Sequence, residues 1–103
     1  MKIVGVSVCS TGIAHTYMAA EGLVEAARAR NHEIKMETQG ALGPENEIEM
    51  EDVENADVVL LATSCLAEGL ERFEGKPIVD VDISEAVKDP TGVIIQCEKI
   101  VNQ

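Results

Sequence analysis

Aromatic and basic residues are scarce in this chain. One Tyr, one Phe and no Trp stand among 103 residues, and 8 Lys and Arg face 19 Asp and Glu. The formal charge of −11 argues against binding nucleic acid or an anionic membrane surface through bulk electrostatics. So few rings also leave little for base stacking. No apolar run approaches the roughly 20 residues that a membrane-spanning helix needs. The opening Met1-Lys2-Ile3-Val4-Gly5-Val6 has neither the apolar stretch nor the cleavage site of a secretory signal. The expectation is a cytoplasmic protein with no direct membrane insertion. Its three cysteines, Cys9, Cys65 and Cys97, are odd in number and form no CxxC pair, so reduced thiols are expected rather than a disulfide framework. Cys9, His15, Cys65 and Cys97 contain no pair with zinc-ligand spacing, and neither a metal nor a cofactor is expected. Any phosphate site must be local, made by backbone dipoles rather than by a basic patch.

What is present is an alternation of strands and helices across a length suited to one domain, residues 1–103. Lys2 to Val8 is rich in β-branched residues and apolar on both faces, as a central parallel strand is. A helix follows from Ile13, with Tyr17, Ala20, Val24 and Ala27 on one face and Glu21, Glu25 and Arg28 on another. Asn31 provides a left-handed stop. His32 to Thr38 alternates His32, Ile34 and Met36 with Glu33, Lys35 and Glu37, which predicts an edge strand with one wet face. Gln39 to Pro44 reads as a loop. The acidic stretch Glu45 to Asn55 reads as a solvated surface with a short helix over Glu51 to Glu54. Asp57 to Ala62 is a buried strand ending at Thr63-Ser64-Cys65. A short helix over Leu70 to Phe73, a strand over Ile78 to Val81 and a helix capped by Ser84 over Glu85 to Val87 follow. Pro90 opens a last helix, Thr91 to Val101, with Val93, Ile94, Cys97, Ile100 and Val101 in one stripe. This order predicts a Rossmann-like α/β fold, a four-stranded parallel sheet with helices on both faces, and ligands bound beyond the carboxyl ends of the strands.

Cys9-Ser10-Thr11-Gly12-Ile13-Ala14-His15-Thr16 lies at such an end. The first N–H groups of a helix lack internal partners, and the helix dipole adds positive potential there, so an anion is stabilised. No proline interrupts residues 10–16, leaving every backbone donor available, and Gly12 admits a close approach. The same field lowers the pKa of a thiol, from about 8.5 to roughly 3.5–7.5 at helix N-termini. Cysteine phosphatases use a similar cradle with Arg at the position of His15, whose fork clamps phosphate. An imidazole is a weaker, switchable clamp, more consistent with passing a phosphoryl group on than with hydrolysing the ester. The Thr11 and Thr16 hydroxyls are further candidate donors. From the residues alone, three readings remain: a phosphoryl carrier, a cysteine phosphatase, and a non-catalytic module that docks on a phosphorylated partner.

Cys9 to Thr16 with Tyr17-Met18-Ala19-Ala20-Glu21, then Glu37-Thr38-Gln39-Gly40, resembles the IIB component of the fructose-type phosphoenolpyruvate-dependent sugar phosphotransferase system. The likeness runs on through Glu71-Arg72-Phe73, Gly75-Lys76 and Ser84 to Pro90. It implies a cytoplasmic phosphocarrier in which Cys9 accepts a phosphoryl group from phosphohistidine of a IIA component. Cys9 then passes the group to fructose or a similar sugar bound by a membrane IIC component. It also implies a phosphate cradle of Ser10, Thr11, Gly12, Ile13, Ala14 and Thr16, with His15 beside the thiol and Gln39, Gly40 and Ser64 in support. Ser10 departs from the family's usual proline and restores an N–H donor at that position. Cys65 and Cys97 read as small buried hydrophobes, and His32 as a plain surface residue.

Overall fold

In the computed structural model, residues 1–8, 13–40, 43–64 and 69–101 are described. Four parallel strands, β1 (Lys2–Val8), β2 (Glu33–Gly40), β4 (Val58–Thr63) and β5 (Ile78–Asp82), form the sheet together with a short antiparallel β3 (Gly43–Glu45). The order is β3-β2-β1-β4-β5. The parallel sheet is therefore as expected, with a fifth strand added. β2 runs two residues past its predicted end, and Gly43–Glu45, predicted as loop, folds back on it through the pairs Thr38↔Glu45, Gln39↔Pro44 and Gly40↔Gly43. Pro44 is tolerated because β3 is an edge strand, where a missing N–H need not break the ladder.

Alternation along β1 feeds two cores. Ile3 joins Met36, Leu60, Ala62 and the buried faces of α1 (Ile13–Ala29), α3 (Ile83–Lys88) and α4 (Pro90–Val101). Val4, Val6 and Val8 join Ile48, Val53 and Phe73 on the opposite face, under α2 (Met50–Asn55) and a 3-10 helix (Leu70–Phe73). At Gly5 the neighbouring strand β4 comes so close that a Cβ would lie 2.8 Å from the Leu60 carbonyl oxygen.

The buried row of α1 is Thr16, Ala19, Ala20, Leu23, Ala26 and Ala27. Tyr17 and Val24, expected in that row, are only half-buried, because the helix also packs on α3 and α4 and turns its Ala-rich side to them. Asn31 stops α1 at φ 65°, as predicted. α3 begins earlier than expected. Asp82, not Ser84, is the cap, and its carboxylate accepts from the Ser84 N–H at 3.0 Å. Cys97 is buried as expected, whereas Cys65 lies outside the described residues.

His32 is no plain surface residue. Its Nε2 meets Glu98 at 2.7 Å and its Nδ1 lies 3.3 Å from the N-terminal amine, while Arg30 Nη2 reaches the same Glu98 at 2.8 Å. These contacts fasten the end of α4 to the amino edge of the sheet. The acidic stretch is likewise not merely solvated. Glu45 accepts from the Tyr17 hydroxyl at 3.0 Å, and Asp52 accepts from Lys35 at 2.8 Å and from the Glu49 N–H at 3.0 Å.

Candidate functional site

The chain leaves β1 for β2 on one side and later crosses to β4 on the other, so strand order reverses between β1 and β4. Ligands of open α/β sheets bind beyond the carboxyl ends of the strands at such a point. Val8, the last residue of β1, stands level with Gln39 of β2 and Thr63 of β4. Its carbonyl accepts from the Ser64 N–H at 3.1 Å. In sequence, residues 9–12 connect the end of β1 to the start of α1. Cys9, Ser10, Thr11 and Gly12 themselves lie outside the described residues, as do the side chains of Ile13, Ala14 and His15.

The helix that receives this loop is 17 residues long and has no acidic residue in its first turn, so no carboxylate there competes for its unpaired N–H groups. Ser7 sets its height. Completely buried, it donates to the Thr16 carbonyl at 2.8 Å and ties the first turns of α1 to β1. Sequence reasoning missed this residue, although a lone hydroxyl in the run Ile3-Val4-Gly5-Val6-Ser7-Val8 was its signal. Thr16 is also fully buried, and its Oγ1 has no partner among the described residues. Gln39 and Gly40 lie within β2 rather than in a loop after it.

A second missed residue stands on β2. Glu37, predicted to face water, is 1 % exposed. Its carboxylate accepts from Arg72 Nη2 at 2.7 Å, from Gln39 Nε2 at 2.7 Å and from the Ile48 N–H at 2.9 Å. Burial pushes this carboxyl upward, but the three hydrogen bonds and the Arg72 charge outweigh it and hold Glu37 below the usual carboxylate range. The polar half of the strand alternation was legible, but not that half of it would be sealed under α2 and the 3-10 helix.

Cations are placed elsewhere. Lys2, Arg30, Lys35 and Arg72 pair with carboxylates, and Lys76 donates to the Glu54 and Ala56 carbonyls. Arg28, Lys88 and Lys99 stand in the last turns of α1, α3 and α4, where they complement the negative helix ends. Among the described residues, no three His, Cys, Asp or Glu side chains converge as a metal site would require. A groove of about 580 Å³ runs between α1 and the outer edge of β2, lined by residues including Tyr17, Val24, Met36, Thr38 and Glu45.

A family profile described as the lactose/cellobiose-specific IIB subunit of phosphotransferase systems matches residues 4–96. A fructose-like EIIB component 2 of Escherichia coli K12 is 50% identical over 94% of this chain and 92% of its own length. The crystal structure of a predicted fructose-specific IIB from Escherichia coli superposes with a TM-score of 0.93 at 39% identity, covering 99% of this chain and 90% of that one. A domain of a fructose-specific IIABC component from Borrelia burgdorferi gives 0.90 at 36% identity, covering 96% and 94%.

Proposed function

The chain belongs to the IIB components of the sugar phosphotransferase systems, in their fructose-like branch, and on that footing we propose that Cys9 is the atom-by-atom carrier of its phosphoryl group. IIB components are phosphocarriers that work between IIA and IIC components. Here the Cys9 thiolate attacks phosphorus of a phosphohistidine on IIA. The S–P bond forms as the P–N bond breaks, and the freed imidazole takes up a proton. In the second step a hydroxyl of fructose or a fructose-like sugar, held by IIC, attacks the same phosphorus. An O–P bond forms, the S–P bond breaks, the hydroxyl proton passes to a base, and the thiolate is restored.

The observation that supports this reading is the reversal of strand order at the carboxyl end of β1, the strand that Cys9 directly follows in sequence. Phosphoryl transfer requires alignment and stabilisation of the equatorial oxygens more than covalent chemistry from the protein. Backbone N–H groups of Ser10, Thr11, Gly12, Ile13 and Ala14, with Thr16, serve that end. His15 stabilises thiolate or phosphate, and Gln39, Gly40 and Ser64 support the loop. Residues 1–103 act as one cytoplasmic domain that reaches the membrane through IIC. Among the described residues no helix is long and apolar enough to cross a membrane.

The test is reconstitution with phosphorylated IIA and membrane vesicles carrying IIC. The wild-type chain supports sugar phosphate formation and Cys9→Ser does not. Sugar phosphorylation that survives Cys9→Ser would overturn the proposal, and release of inorganic phosphate from aryl phosphates would favour a phosphatase instead.

A further inference from the structure

Among the described residues Glu37 is the one charged side chain that is buried. A carboxylate is costly to bury unless its lone pairs are answered, and here the answers come from three separate segments. Arg72 belongs to the 3-10 helix, which follows the connection leaving β4. Ile48 belongs to the link between β3 and α2. Gln39 stands beside Val8 in the ladder, one residue before Cys9.

The contacts close a ring. Arg72 Nη1 donates to the Ile48 carbonyl at 2.8 Å while the Ile48 N–H donates to Glu37, so the backbone of one residue is held at both its N–H and its carbonyl by the ion pair. The guanidinium also lies 4.8 Å over the buried Phe73 ring. At Gly69 (φ 74°) a Cβ would lie 3.4 Å from the Arg72 guanidinium carbon, which places the far end of the β4 connection against the pair. Ionised Glu37 accepts only, so the amide NH₂ of Gln39 has to face it, and the amide cannot flip without setting oxygen against oxygen.

The geometry points to the Glu37–Arg72 pair as a positioning device for phosphoryl transfer at Cys9, fixing the orientation of Gln39 beside Val8, the residue before Cys9, and bracing Gly69 on the way from β4 to the 3-10 helix. This inference rests on the reading of Cys9 as the carrier. Neither residue touches the reacting atoms in this account; both act through the backbone and Gln39. Displacements of about 1 Å in such supports cost on the order of 100-fold in rate, which is ample reason for a buried ion pair where an apolar pair would serve stability as well.

The experiment compares wild type with Glu37→Gln and with the double variant Glu37→Gln/Arg72→Gln, which leaves no orphan charge and is expected to fold. Phosphoryl transfer from phosphorylated IIA is measured as a function of IIA concentration. Iodoacetamide alkylation of Cys9 is measured on the folded, unphosphorylated protein. The saturated transfer rate should fall roughly 10-fold or more in the folded variants with half-saturation by IIA unchanged, and the Cys9 alkylation rate should change with it. Wild-type values of both in a folded variant, whatever its thermal midpoint, would reduce the pair to a strut and overturn the inference. If the wild-type chain itself takes no phosphoryl group, the carrier reading fails separately. Alkylation then still decides, since an altered Cys9 rate supports positioning and an unaltered one overturns it.

Discussion

Thiol reactivity separates Cys97, the one cysteine among the described residues, from Cys9. Burial pushes the Cys97 thiol up to about 11, so near neutral pH it holds almost no thiolate. Cys9, at a helix N-terminus in this account, should alkylate much faster than Cys97 in the folded chain, and inorganic phosphate should slow Cys9 alone. Equal rates for the two would contradict a lowered pKa at the loop. Ser7 gives a second prediction at this scale. Ser7→Ala removes its bond to the Thr16 carbonyl and should cost about 1 kcal/mol in urea unfolding. It should also slow transfer through a displaced start of α1. The Cys9 loop could be proposed from the sequence because its chemistry is local, a thiol followed in sequence by candidate donors and a helix. Ser7 and Glu37 could not, because their partners Thr16 and Arg72 belong to other elements, 9 and 35 residues away in sequence.

Elements were read well where their signals are local and less well at their ends. Asn31 and Pro90 mark helix ends through their own backbone preferences, and both stand as predicted. The cap of α3 was misplaced because Asp82 reads equally as the last residue of a strand, and only the fold shows its carboxylate turned onto the Ser84 N–H. Asp82→Ala should lower stability by about 1 kcal/mol, and Ser84→Ala by less. The fastening of α4 adds a pH dependence. Hydrogen bonds from Arg30 and His32 lower the Glu98 carboxyl from 4.5 to about 2. A depressed folded-state value contributes stability that is present above the ordinary value and lost as pH falls. The stability difference between wild type and Glu98→Gln should therefore be full above about pH 4.5 and vanish as pH falls toward 2. A difference that grows on acidification would contradict the assignment of Glu98 as the anchor.

At the scale of the whole molecule, the parallel sheet and its two helical layers followed from the alternation of elements, since crossover connections admit few other arrangements. β3 escaped prediction because three residues containing Gly and Pro carry no strand signal of their own and pair only where β2 offers an edge. The sheet order places the end of β1 at the reversal point, and the cations are paired off or set at helix ends, so the proposed anion site of a chain of net charge −11 has to rely on backbone donors. Close packing at the centre should be felt globally. Gly5→Ala drives a methyl group toward Met36 and the Leu60 carbonyl and should destabilise the fold by about 1–3 kcal/mol, read as a lowered urea midpoint. The most direct test of the central claim is to phosphorylate the chain with labelled phosphohistidine IIA, digest it, and map the label. The account predicts one acid- and iodine-sensitive phosphoryl group on the peptide containing Cys9 and none in Cys9→Ser; label on any other residue, or label that persists in Cys9→Ser, would contradict it.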